Sequence, residues 1–388
     1  IMKDVTISES VKYIGVDDTT IDLFESQYHV PNGVSYNSYV ILDEKTAVMD
    51  TVDPRGALEW LRNLDKELKG RTVDYLIVSH LEPDHAGSIQ ALAEKYPDMK
   101  LVSNAKALKM IPQFFDFDLT GRTVEVKEGD TLSLGSHTLH FVMAPMVHWP
   151  EVMVEYESSE KILFSADGFG KFGALCVEED WLCEARRYFI NIVGKYGAQV
   201  QALLKKAATL DISMICPLHG PILKENLGYY IEKYDIWSSY RPEDEGVLIA
   251  YASIHGNTAR AARKMAEVLE AAGAKKVVIK DLARCDMAEA VEDAYRYSRL
   301  MLCCATYDGG LFPCMEDFLA HLRAKNFQKR TVGLMENGSW APTAAKSMRA
   351  ILDGMKDLKI CDQTVSILST MNEKNVEEMK GLAAELLA

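Results

Sequence analysis

No apolar run of about 18 residues occurs anywhere in the 388-residue chain, so no segment reads as a membrane-crossing helix. The opening stretch IMKDVTISES lacks the charged-then-apolar layout of a signal peptide, and the expected location is cytoplasmic. Basic residues are the minority, 43 Lys and Arg against 57 Asp and Glu, a formal charge of −14. Such a surface is a poor match for nucleic acid and is repelled by anionic membrane faces. The eight cysteines (Cys176, Cys183, Cys216, Cys285, Cys303, Cys304, Cys314 and Cys361) form no C-x-x-C pair. Zinc-ribbon, rubredoxin-type and disulfide frameworks therefore fail on spacing, and reduced thiols packed as small hydrophobes are expected. Both G-x-G-x-x-G and the lysine loop G-x-x-x-x-G-K-[ST] are missing, which weakens dinucleotide and ATP readings.

With 48% hydrophobic and 26% charged residues, the composition is that of a globular protein long enough for two or three cores. From Asp22 to about Phe164 short strand-like segments dominate, among them VSYNSYVILDE, VDYLIVSH, HTLHFVMA and KILFSA, with helical patterns between and after them. This predicts a layered αββα sandwich. The polar, proline-containing segment SSYRPEDEG (Ser238–Gly246) reads as a linker. Beyond it, VLIAYA, KKVVIKD, RLMLCCAT, RTVGLMEN and TVSILS alternate with helical stretches, which predicts a doubly wound parallel sheet. The expected domains are residues 1–245 and 246–388.

Polar residues concentrate where these strands end. VDYLIVSH runs into His80, Glu82, Asp84 and His85, four potential ligands within six residues. Three more sit at later strand-to-loop transitions beside Pro or Gly: His148 in VHWPE, Asp167 in SADGFG and His219 in PLHGP. Any one of these histidines alone reads as structural, but seven candidates at successive strand ends predict a metal site. Four histidines and three carboxylates without a thiolate suit iron or manganese better than a thiolate-zinc or iron–sulfur site. His29, Tyr36 and Trp149 are candidates to line it. His137 and His140 read as surface or packed residues, and Asp53 as the cap of a helix starting at Pro54.

The spacing resembles the H-x-H-x-D-H signature of the metallo-β-lactamase superfamily, with Glu82 in place of the second histidine. H-x-E-x-D-H, together with H-W-P, S-A-D-G-F-G and L-H-G-P, resembles the flavodiiron proteins, and the resemblance spans essentially the whole chain. It implies His80, Glu82 and His148 on one iron, Asp84, His85 and His219 on a second, and Asp167 bridging the two.

In the second half, the first strand runs into Ser253, Ile254, His255, Gly256, Asn257 and Thr258 and then a helix, an anion site for one phosphate. This resembles the phosphate loop of flavodoxin. Two further loops fall after the third and fourth strands: Thr306, Tyr307, Asp308, Gly309, Gly310 and Leu311, then Asn337, Gly338, Ser339, Trp340 and Ala341. In a doubly wound sheet such loops meet at the carboxyl edge, so FMN is the expected cofactor, with Tyr307 and Trp340 placed to stack on its ring.

Metal pair and flavin together imply an oxidoreductase that reduces dioxygen to water, nitric oxide to nitrous oxide, or both. The resemblance implies a head-to-tail homodimer or a dimer of dimers. The last helix carries no C-x-x-C module, so a separate electron donor is expected: a rubredoxin, a reduced deazaflavin or a flavin reductase. Two other readings remain open, a di-zinc hydrolase with a flavodoxin-like appendage and a redox carrier with a degenerate metal site. Zinc without iron would favour the first, and FMN without metal the second.

Overall fold

The computed structural model describes residues 5–388; residues 1–4, which open the stretch read for a leader, lie outside the described residues. By its internal contacts the chain divides into two units. One comprises Ile1–Phe189 with Ala198–Asp235, the other Ile190–Gly197 with Ile236–Ala388. Among the described residues no helix is long and apolar enough to cross a membrane.

The first unit is an αββα sandwich. One sheet orders its strands Val11–Tyr13, Tyr39–Ile41, Ala47–Met49, Tyr75–Ile77, Lys100–Asn104 and Thr123–Val126. The second orders Thr131–Ser133, Thr138–Met143, Met153–Glu157, Ile162–Phe164 and Met214–Cys216. Alternate residues of both sheets, such as Tyr39 and Ile41, Leu139 and Phe141, Ile162 and Phe164, share one core. That is the period-two pattern of a sheet buried on its inner face. Truncating a fully buried aromatic such as Phe141 to Ala costs about 3–5 kcal/mol. The helix Ala57–Leu68 buries Trp60, Leu64 and Leu68, four residues apart along one stripe. Trp60 Nε1 donates to Ser38 Oγ at 3.0 Å and ties the helix to the residue that precedes the strand Tyr39–Ile41. It stops at Lys69, in the left-handed region, before Gly70 at φ +89°. Just ahead of it, Asp53 accepts from Arg55 N and caps the short helix Pro54–Gly56.

The second unit is a flavodoxin-like sheet of five parallel strands. Its order is Val277–Asp281, Asp244–Ala252, Tyr297–Tyr307, Arg330–Asn337 and Leu358–Ile367, that is 2-1-3-4-5, with the short Gly310–Leu311 folded back on Thr306 and Tyr307. Val247, Leu248, Ile249 and Ala250 are all buried, so both faces of the sheet are covered, as a parallel sheet requires. The helices Asn257–Ala271 and Glu373–Leu387 pack on one of them.

The cysteines are free thiols. Cys216, Cys303, Cys304 and Cys361 are packed in the interior, whereas Cys176 and Cys183 are exposed. Burial pushes the Cys304 thiol up to about 12.

Candidate active site

The strand Tyr75–Ile77 is buried, and the chain leaves it through His80 and Leu81 into a helical turn, Pro83–Ala86. Pro83 starts that turn, which turns Asp84 and His85 back towards the sheet edge. His148, Asp167 and His219 come in from loops that follow other strands. Seven side chains separated by up to 139 positions thereby reach one spot.

They form two groups around Asp167. Its Oδ2 lies 3.2 Å from His80 Nε2 and 3.2 Å from His148 Nε2. Glu82 Oε2 is 3.3 and 3.0 Å from the same two nitrogens. The other oxygen, Oδ1, is 2.9 Å from His85 Nε2 and 3.7 Å from His219 Nε2. Asp84 Oδ2 is 3.3 and 3.1 Å from those two. Atoms bound about 2.1 Å from one ion at angles near 90–110° stand about 3.0–3.4 Å apart, so most of these spacings suit ligands around a common centre.

The hydrogen-bond accounting points the same way. Both oxygens of Asp84 and Asp167, both ring nitrogens of His85 and His219 Nε2 are buried without a hydrogen bond of adequate geometry. Each such orphan costs about 1–3 kcal/mol, and their concentration at one point is what a metal pair would satisfy. The residues fit two iron ions: hard carboxylate oxygens and imidazoles, with no sulfur.

Electrostatics follow from three carboxylates drawn together in a largely buried pocket. Burial pushes Asp84 up to about 8, with His85 opposing and Glu82 and Asp167 adding to the rise. Burial acts on Asp167 too, but His85 and His80 override it and hold the carboxyl well below the usual range. Glu82 resists burial through hydrogen bonds with His148 and His80 and is held at about 2. Burial opposes protonation of His148, yet Asp167 and Glu82 raise it to about 9.

Three supporting residues escaped the sequence analysis. Glu151, 1% exposed, accepts from His80 Nδ1 and Leu81 N, both at 2.8 Å. The Ser35 carbonyl accepts from His219 Nδ1 at 2.7 Å. Each fixes a tautomer whose Nε2 faces inward. Asn37 Nδ2 donates to Pro217 O and Gly220 O and shapes the loop around His219. The only available signal was the Glu following H-W-P. Of the three candidates for the lining, Trp149 packs edge-on against His80 with centroids 5.2 Å apart. Tyr36 lies edge-on to His219, but its hydroxyl is spent on Asp18 Oδ2 at 2.8 Å. His29 is exposed, and its carbonyl accepts from Arg187. His137 lies elsewhere, packed between Asp43 and Glu160.

At the carboxyl edge of the second unit's sheet lies a cavity of about 580 Å³, within the range of small-molecule sites. All three expected loops line it: Ser253, Ile254, His255, Asn257 and Thr258 from the first, Thr306–Gly309 from the second and Asn337–Ala341 from the third. Gly256, Gly310 and Leu311 shape these loops without lining the cavity. Gly256 sits at φ +98° and starts the helix Asn257–Ala271 with no side-chain cap, which leaves first-turn N–H groups for an anion. Ala305, Thr343 and Ser369 also line it and were not foreseen. Trp340 is 90% exposed and Tyr307 45% exposed at its rim, both free to cover a planar ring. A helix N-terminus for phosphate and aromatic rings for an isoalloxazine fit FMN.

Fold and sites thus define a class: a metallo-β-lactamase-like metal unit joined to a flavodoxin-like flavin unit. The comparisons agree. The sequence model of the ODP family beta lactamases matches residues 34–220 and that of flavodoxin matches 249–358. An uncharacterised protein of Methanocaldococcus jannaschii is 28% identical, covering 97% of this chain and 96% of its own. The anaerobic nitric oxide reductase flavorubredoxin of Aliivibrio fischeri is 28% identical over 87% of this chain and 70% of its own. The rubredoxin oxygen:oxidoreductase of Desulfovibrio gigas superposes with a TM-score of 0.91 at 26% identity, covering 98% and 97% of the two chains. The two family models, the flavorubredoxin relatives and the flavodiiron structures together support a flavodiiron protein. It is an oxidoreductase whose cofactors are FMN and a diiron centre.

Proposed function

We propose that the chain reduces dioxygen to water, nitric oxide to nitrous oxide, or both, with electrons passed through FMN to the diiron centre. The observation that carries this reading is Asp167, whose two oxygens face two separate groups of histidine and carboxylate ligands. His80, Glu82 and His148 would hold one iron, Asp84, His85 and His219 the other, and Asp167 would bridge them. When bound, the irons supply two reducing equivalents and open coordination positions for a diatomic gas, and FMN restores the electrons. The protein's own part is to fix and to exclude. Glu151 and Ser35 O lock the His80 and His219 rings. Trp149, Phe24 and Tyr188 lie against those rings and keep bulk water from them.

FMN would be held by Ser253–Thr258 at its phosphate and covered by Tyr307 and Trp340. A rubredoxin, reduced deazaflavin or flavin reductase would supply the electrons; the name of the Desulfovibrio gigas relative favours the first. Two chains arranged head to tail would bring the FMN of one to the irons of the other, and a monomeric active enzyme would refute that arrangement. The deciding experiment mixes anaerobically reduced, iron- and FMN-replete protein with dioxygen or nitric oxide in a stopped-flow instrument while flavin reoxidation is followed. Rapid reoxidation by one gas identifies the substrate. No reaction with either overturns the proposal.

A further inference from the structure

The first unit contains a largely enclosed gap between the helix Gly197–Ala207 and the strands Thr138–Met143, Met153–Glu157 and Ile162–Phe164. Strand residues Val142, Val154 and Leu163 form one wall, and Val200, Leu203, Leu204 and Ala207 of the helix form the other. Its two polar groups are already engaged: Ser165 Oγ donates to Gly168 O at 2.7 Å, and Tyr234 OH accepts from Phe169 N at 2.6 Å. A buried water needs two to four polar partners, and an apolar gap without them stays dry and takes up apolar atoms such as xenon. The gap leaves ≈ 20 Å³ for the centre of a water-sized sphere, enough for one small molecule.

Its position gives it a use. The inner end is walled by Val147 and Gly168, each one residue from the candidate ligands His148 and Asp167, and these inner residues are buried. The outer end is walled by Leu203, Leu204 and Ala207, which are partly exposed. The lining therefore includes both partly exposed helix residues and buried residues adjoining the metal loops, and its surface is almost entirely apolar.

We propose that this gap is a holding site for a small apolar gas, dioxygen or nitric oxide, on its way to the diiron centre. The inference rests on the function proposed above, but its test does not. Crystals of the complete, cofactor-loaded protein are pressurised with xenon, and the anomalous signal is read in the gap. Xenon should occupy it in the native protein and be lost in Ala207→Met, whose longer side chain fills the space from a partly exposed helix position. In the same variant KM for the gas should rise several-fold, in larger proportion than any change in kcat, with iron and FMN content retained. A gap empty of xenon in an enzyme that turns over gas shows a mere packing defect and overturns this inference alone. So does an unchanged KM in a variant that has lost xenon. Xenon bound in a protein that reduces neither gas overturns the proposed function and with it the gap's role.

Discussion

Removing the carboxylate of Glu151 is the most direct test of how the metal site is built. One oxygen, Oε1, accepts from both His80 Nδ1 and Leu81 N, while Oε2 is buried without a hydrogen bond. Glu151→Ala removes the acceptor and leaves two buried donors unpaired, at about 1–3 kcal/mol each. It also frees the His80 ring to turn its Nε2 away from the metal. Loss of a partner of this kind lowers metal affinity about 10- to 100-fold, or about 1.4–2.7 kcal/mol. Glu151→Gln is the informative companion. Its carbonyl oxygen can accept both bonds, and its amide falls where Oε2 has no partner, so the ring stays oriented and only the charge is lost. Iron affinity measured by chelator competition should fall in the order native, Gln, Ala, with FMN content equal in all three, because every residue lining the candidate flavin cavity lies in the other unit. An Ala variant that binds iron within about twofold of native would refute the orienting role. A Gln variant as weak as Ala would mean that charge, not orientation, is what Glu151 supplies.

Asp167→Ala should lose both irons and keep FMN, read by metal analysis and flavin absorbance, and two irons retained would refute the bridge. Trp340→Ala should weaken FMN by about 0.5–1.5 kcal/mol, the worth of an aromatic stack, without changing Tm, since the side chain is 90% exposed. Gly220 sits at φ +82°, and a Cβ there would lie 2.6 Å from Lys171 Cγ. Gly220→Ala should therefore cost about 1–3 kcal/mol, seen as a lower Tm, and an unchanged Tm would contradict the strain. Burial lowers the His137 pKa, but its hydrogen bonds to Glu160 and Asp43 outweigh this and raise it above the usual value. A raised folded pKa gives stability that is full below the unfolded value of about 6.5 and is lost as pH rises through the folded value. The stability gap between native protein and His137→Gln should thus shrink on going alkaline, and a gap that widened would refute the pairing.

What the sequence made legible was whatever is written locally. His80, Glu82, Asp84 and His85 share one loop, and the loop Ser253–Thr258 stands between the six-residue apolar run VLIAYA and an amphipathic helix. The change from period two to a strand–helix alternation separated the two architectures. The supporting atoms were not legible, and the reason is physical. Ser35 acts through its backbone carbonyl, which carries no residue signature, on a histidine 184 positions away. Asn37 likewise bonds two carbonyls across more than 170 positions. Tyr36 looked like a site residue by type, yet Asp18, itself paired with Arg55 at 2.7 Å, takes its hydroxyl. Only the folded register decides which neighbour a hydroxyl meets first.

The replacement of an imidazole by Glu82 gains its meaning from that packing. Glu82, Asp84 and Asp167 put three potential negative charges within one pocket, and the protein alone cannot hold all three at ease: burial, then Glu82 and Asp167, drive Asp84 to about 8. Two multivalent cations reverse that balance, turning mutual repulsion among the carboxylates into shared attraction. An imidazole at position 82 would carry one negative charge fewer and a softer donor. A centre that must take up and give back electrons changes its own charge as it works, and an anionic, oxygen-rich shell stabilises the more highly charged state that a neutral one leaves exposed. By this argument Glu82→His should shift the metal preference of the purified protein from iron towards zinc. A Glu82→His protein that still selected iron from an equal mixture would show that the selectivity lies in the orientation of the ligands rather than in their charge.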